Sequence, residues 1–98
     1  MNTDKELLEL AAKAAGFWNY EFNCYEGPMS WNPMDKDDDA LRLMVKCGLH
    51  IYFFLPNDDI GKPYTEVNRS IKEYHDNDSY AATRHAVVRA AAEIGRKM

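Results

Sequence analysis

An α+β fold is predicted by three observations. Three stretches carry apolar residues at helical spacing between capping residues, over about 4–15, 37–47 and 79–96. Over 17–25 the period changes to strict alternation, with Trp18, Tyr20, Phe22 and Cys24 separated by Asn19, Glu21 and Asn23. His50 to Leu55 is a short aromatic run that ends in Pro56 and Asn57. Taken in order these give α-β-α-β-β-α, a compact sandwich of three helices and a three-stranded, mostly antiparallel sheet, with residues 1–98 as a single domain.

Each element has a local cause. Thr3 and Glu6 have the spacing of a capping box, Leu7, Leu8, Ala11, Ala14 and Ala15 form an apolar stripe, and Gly16 suits a left-handed helix end. The alternating stretch 17–25 reads as a half-buried strand with an aromatic inner face, stopped by Glu26-Gly27-Pro28. Residues 28–36 form a loop with Trp31 and two prolines. The aspartates after it supply an N-cap and favourable charge for the helix over 37–47, which Gly48 ends. The run 50–55 reads as a buried strand, and 56–63 as turn chemistry throughout. Residues 64–74 are ambiguous. Val67, Ile71 and Tyr74 sit at helical spacing, while Tyr64, Thr65 and Val67 favour a strand; a strand pairing with 50–55 is the economical reading. Asp76-Asn77-Asp78-Ser79 caps the last helix, whose apolar face is Ala82, Ala86, Val87, Ala90, Ala91 and Ile94. Residues that small let a helix lie close against its neighbour.

Composition excludes several function classes. The chain is 46% hydrophobic and 29% charged, as in ordinary globular proteins. No apolar run approaches the ~20 residues that span a bilayer. The acidic, polar start at Met1 to Glu6 lacks the apolar core of a secretory signal, so a cytoplasmic address is expected. The net charge of −4 lies wholly in residues 1–49, with 50–98 balanced. Nucleic-acid binding therefore lacks its usual electrostatic driving force. Cys24 and Cys47 have no CxxC spacing and are expected to be reduced and partly buried, joined only if the fold brings them together.

The most suggestive chemistry is the run Asp35, Asp37, Asp38, Asp39. Asp35, Asp37 and Asp39 fit the first, third and fifth positions of a calcium-binding EF-hand loop. Ala40 then stands where that loop needs Gly, and Lys46 where it needs a bidentate Glu, so the reading fails. Magnesium on two of these carboxylates would have no nucleotide motif beside it; helix capping and a solvated acidic face explain the run more cheaply. No metal site and no cofactor is expected. His50, His75 and His85 share no ligand spacing and read as surface or boundary residues, with no local signature for a Cys–His dyad. Asp58 and Asp59, Glu66 and Glu73 read as solvated charge rather than a catalytic pair. The five glycines are isolated, which disfavours phosphate-binding loops. Arg84 near the start of the last helix would favour an anion there, and Asp76 and Asp78 oppose it. Arg84 and Arg89 are about 140° apart around a helix and form no compact basic strip.

Aromatic residues are dense, and most belong to a core on small strands. Tyr25, Met29, Trp31 and Met34 around the proline-rich loop have the composition of a contact surface, although for Trp31 a place in the core is the first reading and an interface or pocket the second. Trp31-Asn32-Pro33, the acidic gap, Asp39-Ala40-Leu41-Arg42-Leu43, and the block from Asp78 to Ala92 resemble small proteins of tailed phages and prophages: the phage α-β-α sandwich proteins and, more distantly, the NinX type. The likeness covers roughly 31–51 and 76–95. It implies a compact α/β sandwich, a phage or prophage origin and an accessory role in the cytoplasm of a bacterial host, without an activity assigned to particular residues.

The function expected from these readings is a non-enzymatic interaction module that binds a host or phage protein. The candidate binding residues are Trp31, Asn32, Pro33, Asp37, Asp39 and Arg84. Two other readings stay open. One is a small-molecule or nucleotide-binding domain, or a minor hydrolase, with a pocket near Trp31, Asp37 and Arg84. The other is a structural homodimer or higher homo-oligomer with exposed aromatics paired across a two-fold axis.

Overall fold

The computed structural model describes residues 3–56 and 61–98. Its elements are α1 (Asp4–Ala15), β1 (Trp18–Asn19), β2 (Cys24–Tyr25), α2 (Asp37–Cys47), β3 (Ile51–Phe54), β4 (Tyr64–Val67), β5 (Ile71–Tyr74) and α3 (Ser79–Arg96). The class is α+β: three helices, an antiparallel sheet in the order β3-β4-β5, and a separate antiparallel β1-β2 ribbon. No helix among the described residues is long and apolar enough to cross a membrane. Part of the turn predicted over 56–63 lies at 57–60, outside the described residues.

All three helices fall on their predicted bounds because their end signals are local. The Thr3 hydroxyl accepts the Glu6 N–H at 3.2 Å. Gly16 and Gly48 take left-handed conformations at φ 85° and 62°. The next residues then donate back into the helices, Phe17 to the Ala12 carbonyl at 2.8 Å and Leu49 to the Met44 carbonyl at 3.1 Å. At α3, one carboxylate oxygen of Asp78 accepts the N–H groups of Tyr80 and Ala81, both at 3.0 Å. Asp78→Ala orphans both donors. It is expected to cost about 1 kcal/mol, and Asp78→Ser to restore most of it, which a thermal melt followed by circular dichroism will read.

The strands differ from expectation in two places. The stretch 17–25 is not one strand but a ribbon, Trp18 opposite Tyr25 and Asn19 opposite Cys24. The Asn19 side chain accepts the Phe22 N–H at 3.0 Å, and Asn23 takes φ 51°, so the chain reverses between them. The predicted aromatic inner face therefore splits: Trp18 is half-buried, whereas Tyr20, Phe22 and Cys24 are exposed. The stretch 64–74 is likewise two strands, folded back at Asn68 and Arg69, which stand at φ 53° and 61°. Its first half pairs with β3, as expected, and its second half supplies the third strand that 17–25 was expected to give.

The last helix is the centre of the molecule. Val67 on the sheet packs with Ala86 and Ala90 of α3. Ala11, Ala15, Leu43, Val87, Val88 and Ala91 form the larger core from all three helices. Val88 and Ala92, outside the predicted apolar face, are completely buried, because α3 is covered on more sides than one amphipathic stripe. At Gly95 a Cβ would overlap the carbonyl of Leu10, so α1 and α3 touch backbone to backbone there.

Candidate functional site

The residues after Pro28 form a loop built around Asn32. Its N–H donates to Asp39 at 2.9 Å, its side-chain amide donates to Asp35 at 3.0 Å, and its side-chain oxygen accepts the Met34 N–H at 3.2 Å. Pro33 is fully buried beneath it. Trp31 is half-buried, edge-on to Phe17 at 5.5 Å and stacked on Tyr25 at 6.0 Å between ring centres. None of the aspartates is the N-cap residue of α2, although the Asp38 side chain accepts the Asp39 N–H of the first turn at 2.9 Å. Lys36 is the N-cap residue and makes no side-chain cap bond. Asp39 holds Asn32 instead, and Asp37 reaches across to Arg84 at 2.6 Å. All three aspartates of the first turn still carry the charge that the helix dipole favours.

Arg84 ties this loop to α3. Its Nε donates to the Met34 carbonyl at 2.7 Å and its Nη1 to Asp37. Arg89 is engaged separately, with Glu73, as its position around the helix requires. Glu73 also lies 3.2 Å from His85.

Two concavities flank the loop. The smaller, about 290 Å³, takes in Phe17, Trp31, Asp39, Arg42 and Lys46. Beside it burial, and after it the Asp39 carboxylate, push the Tyr25 phenol above its ordinary value, and its hydroxyl donates to the Pro28 carbonyl. Cys47, half-buried at the end of α2, has its thiol raised by burial, against a smaller opposing pull from Lys46. Both cysteines are free, and Cys24 is exposed rather than partly buried as expected.

The larger concavity is a cleft of about 960 Å³ between α2, β3 and the start of α3. Its walls among the described residues are mostly apolar. Leu41, Phe53, Leu55 and Tyr80 stand at it with 49–70% of their surface exposed. Asp37 and Arg84 sit on one wall. Of the six residues expected to form a site, the structure thus brings Asp37 and Arg84 to this cleft and places Trp31 and Asp39 at the other, while Asn32 and Pro33 serve the loop itself.

The cleft also holds residues that sequence reading missed. His75, expected at the surface or boundary, is only 7% exposed. Its Nε2 lies 2.7 Å from the hydroxyl of Thr65, which is completely buried, and Thr65 lies 2.8 Å from the Thr83 hydroxyl. Thr83 donates to the Ser79 carbonyl at 2.8 Å. A carbonyl only accepts, so the direction of the whole chain follows: Thr65 donates to Thr83, and His75 donates from Nε2 to Thr65. No described residue supplies a partner for the other ring nitrogen, Nδ1. Asp76, the next residue, also lines the cleft and holds a left-handed φ of 48°. The available sequence signal was the alternation that sets Thr65 and Val67 on one side of β4.

No protein-family model, curated protein or solved structure matches the chain.

Proposed function

We propose that the protein is a non-enzymatic interaction module whose cleft between α2, β3 and α3 receives the apolar face of another protein. In this reading it is an accessory protein of phage or prophage origin, acting in the cytoplasm of a bacterial host on a host or phage partner. The resemblance of 31–51 and 76–95 to the small phage proteins supports the origin. The observation that carries the interaction is the ring of Leu41, Phe53, Leu55 and Tyr80, large apolar side chains left in water around one concavity. Scattered exposed apolar residues need no explanation, but contiguous ones around a groove mark contact sites. At about 960 Å³ the cleft lies near the upper end of small-ligand pockets, roughly 300–1,000 Å³. A small ligand would leave these outer side chains wet, whereas a protein segment covers them.

The test is site-specific photo-crosslinking in bacterial extract. A benzophenone side chain at Tyr80 or at Leu41 is expected to give the same discrete adduct. One at Glu9, exposed on α1, is expected to give none. Equal labelling from all three positions, or none from any, would overturn the reading.

A further inference from the structure

Resting on that reading of the cleft, we infer that its occupant is a basic amphipathic helix, with its apolar face on Leu41, Phe53 and Tyr80 and a Lys or Arg directed to the end where His75 and Asp76 lie. Three features agree on this chemistry.

The first is shape. Two helices wall the cleft, and its apolar residues continue out to exposed Leu41, Leu55 and Tyr80, so the surface to be covered is longer than the pocket floor. An amphipathic helix laid in a groove covers such a surface with side chains from successive turns.

The second is the polarity of the hydrogen-bonding groups. The charged residues that line the cleft are Asp37, Asp76 and Arg84. Arg84 already gives Nε to Met34 and Nη1 to Asp37. The donor chain from His75 through Thr65 and Thr83 to the Ser79 carbonyl spends the imidazole Nε2–H inward. Nδ1 of a side chain more than nine-tenths buried is left as an acceptor without a partner among the described residues. Arg84, the one cation among these described lining residues, is already paired with Asp37, which leaves Asp76 as the lining charge with no ion pair among the described residues.

The third is the wider charge. Asp35, Asp37 and Asp38 at the start of α2 and Asp76 and Asp78 before α3 are exposed. Asp37 and Asp76 line the cleft, the others are their near neighbours in the chain, and the chain as a whole is at −4. A like-charged partner would be repelled there and a basic one attracted.

The experiment uses the full chain and two fluorescent synthetic helices, identical in their leucine face, with the polar face of Lys in one and of Glu in the other. The lysine helix is expected to bind at least about tenfold more tightly, with a preference that shrinks as salt rises. Its amide perturbations should map to α2, β3 and the start of α3. Asp76→Asn is expected to weaken the lysine helix about threefold or more by removing one rim charge. Asn also accepts the left-handed backbone, so an unchanged melt shows the fold intact. Leu41→Ser, at an exposed position, is expected to weaken both helices. Equal binding of the two helices at the cleft would overturn the basic helix and leave the cleft reading standing. Binding of the apolar dye anilinonaphthalene sulfonate there, with neither helix bound, would overturn it in favour of a small apolar ligand. Concentration-dependent self-association through the same amides would overturn it in favour of a second copy. Failure of both helices and the dye would overturn the cleft reading as well.

Discussion

Gly95→Ala is expected to lower the melting temperature by roughly 10–20 °C, a cost of about 2–3 kcal/mol for a domain of this size. The added methyl overlaps the carbonyl of Leu10, whose carbon would be 2.7 Å away. A flexible side chain would swing aside, but here the obstacle is the backbone of α1. Relief requires α1 and α3 to separate where Ala11, Ala12, Ala91 and Ala92 are almost wholly buried. Helix propensity acts in the opposite sense, because Ala is favoured over Gly by up to about 1 kcal/mol in a helix interior. Position 95 is the penultimate residue of α3, where that gain is at its weakest. The clash therefore decides the sign. A calorimetric melt of Gly95→Ala that is unchanged or raised would show that the helices do not meet there. Hydrogen exchange at the last turn of α3 separates true separation of the helices from fraying of the turn alone.

The helices were legible because everything that starts and stops them lies within a few residues: Thr3 and Gly16, Gly48, and Asp78. The strands were less so. Both misread stretches contain an asparagine in the left-handed region, Asn23 and Asn68. Neither is followed by the glycine that marks a hairpin turn most plainly. Asn68 is fixed from a distance, since its backbone N–H donates to the His50 carbonyl at 2.8 Å and its side chain accepts the His50 N–H at 2.9 Å. Nothing local announces that pairing. The Trp31-Asn32-Pro33 loop launches α2 as expected, but only Asp38 bonds a first-turn N–H, while Asp39 and Asp37 serve partners seven and 47 residues away. The cleft was the least legible feature. Its walls come from three separate parts of the chain, and the burial of His75 depends on where β5 lies beside α3.

Thr65→Val is expected to cost about 1–3 kcal/mol, although it keeps the size of the side chain. Thr65 is completely buried at the centre of the hydroxyl chain, accepting from His75 and donating to Thr83. With a methyl in place of the hydroxyl, the His75 Nε2–H faces an apolar group. Shifting the proton to the other nitrogen does not help, because Nε2 then becomes an unpaired acceptor in the same buried place. Thr65→Ser keeps the hydroxyl and gives up one methyl, a loss of about 0.8 kcal/mol, so it should be the milder change. Thr83→Val takes away the acceptor of the completely buried Thr65 hydroxyl and should also destabilise, by about 1–3 kcal/mol. A second measurement reads the same chain without relying on stability. Long-range nitrogen–proton correlation spectra of the neutral protein should show His75 with its proton on Nε2 and Nδ1 bare. Thr65→Val should relax that preference, and Thr65→Ser should keep it. A proton on Nδ1 in the unaltered protein would reverse the deduced direction of the chain. The spectrum thus reads the direction of the buried chain independently of any change in stability.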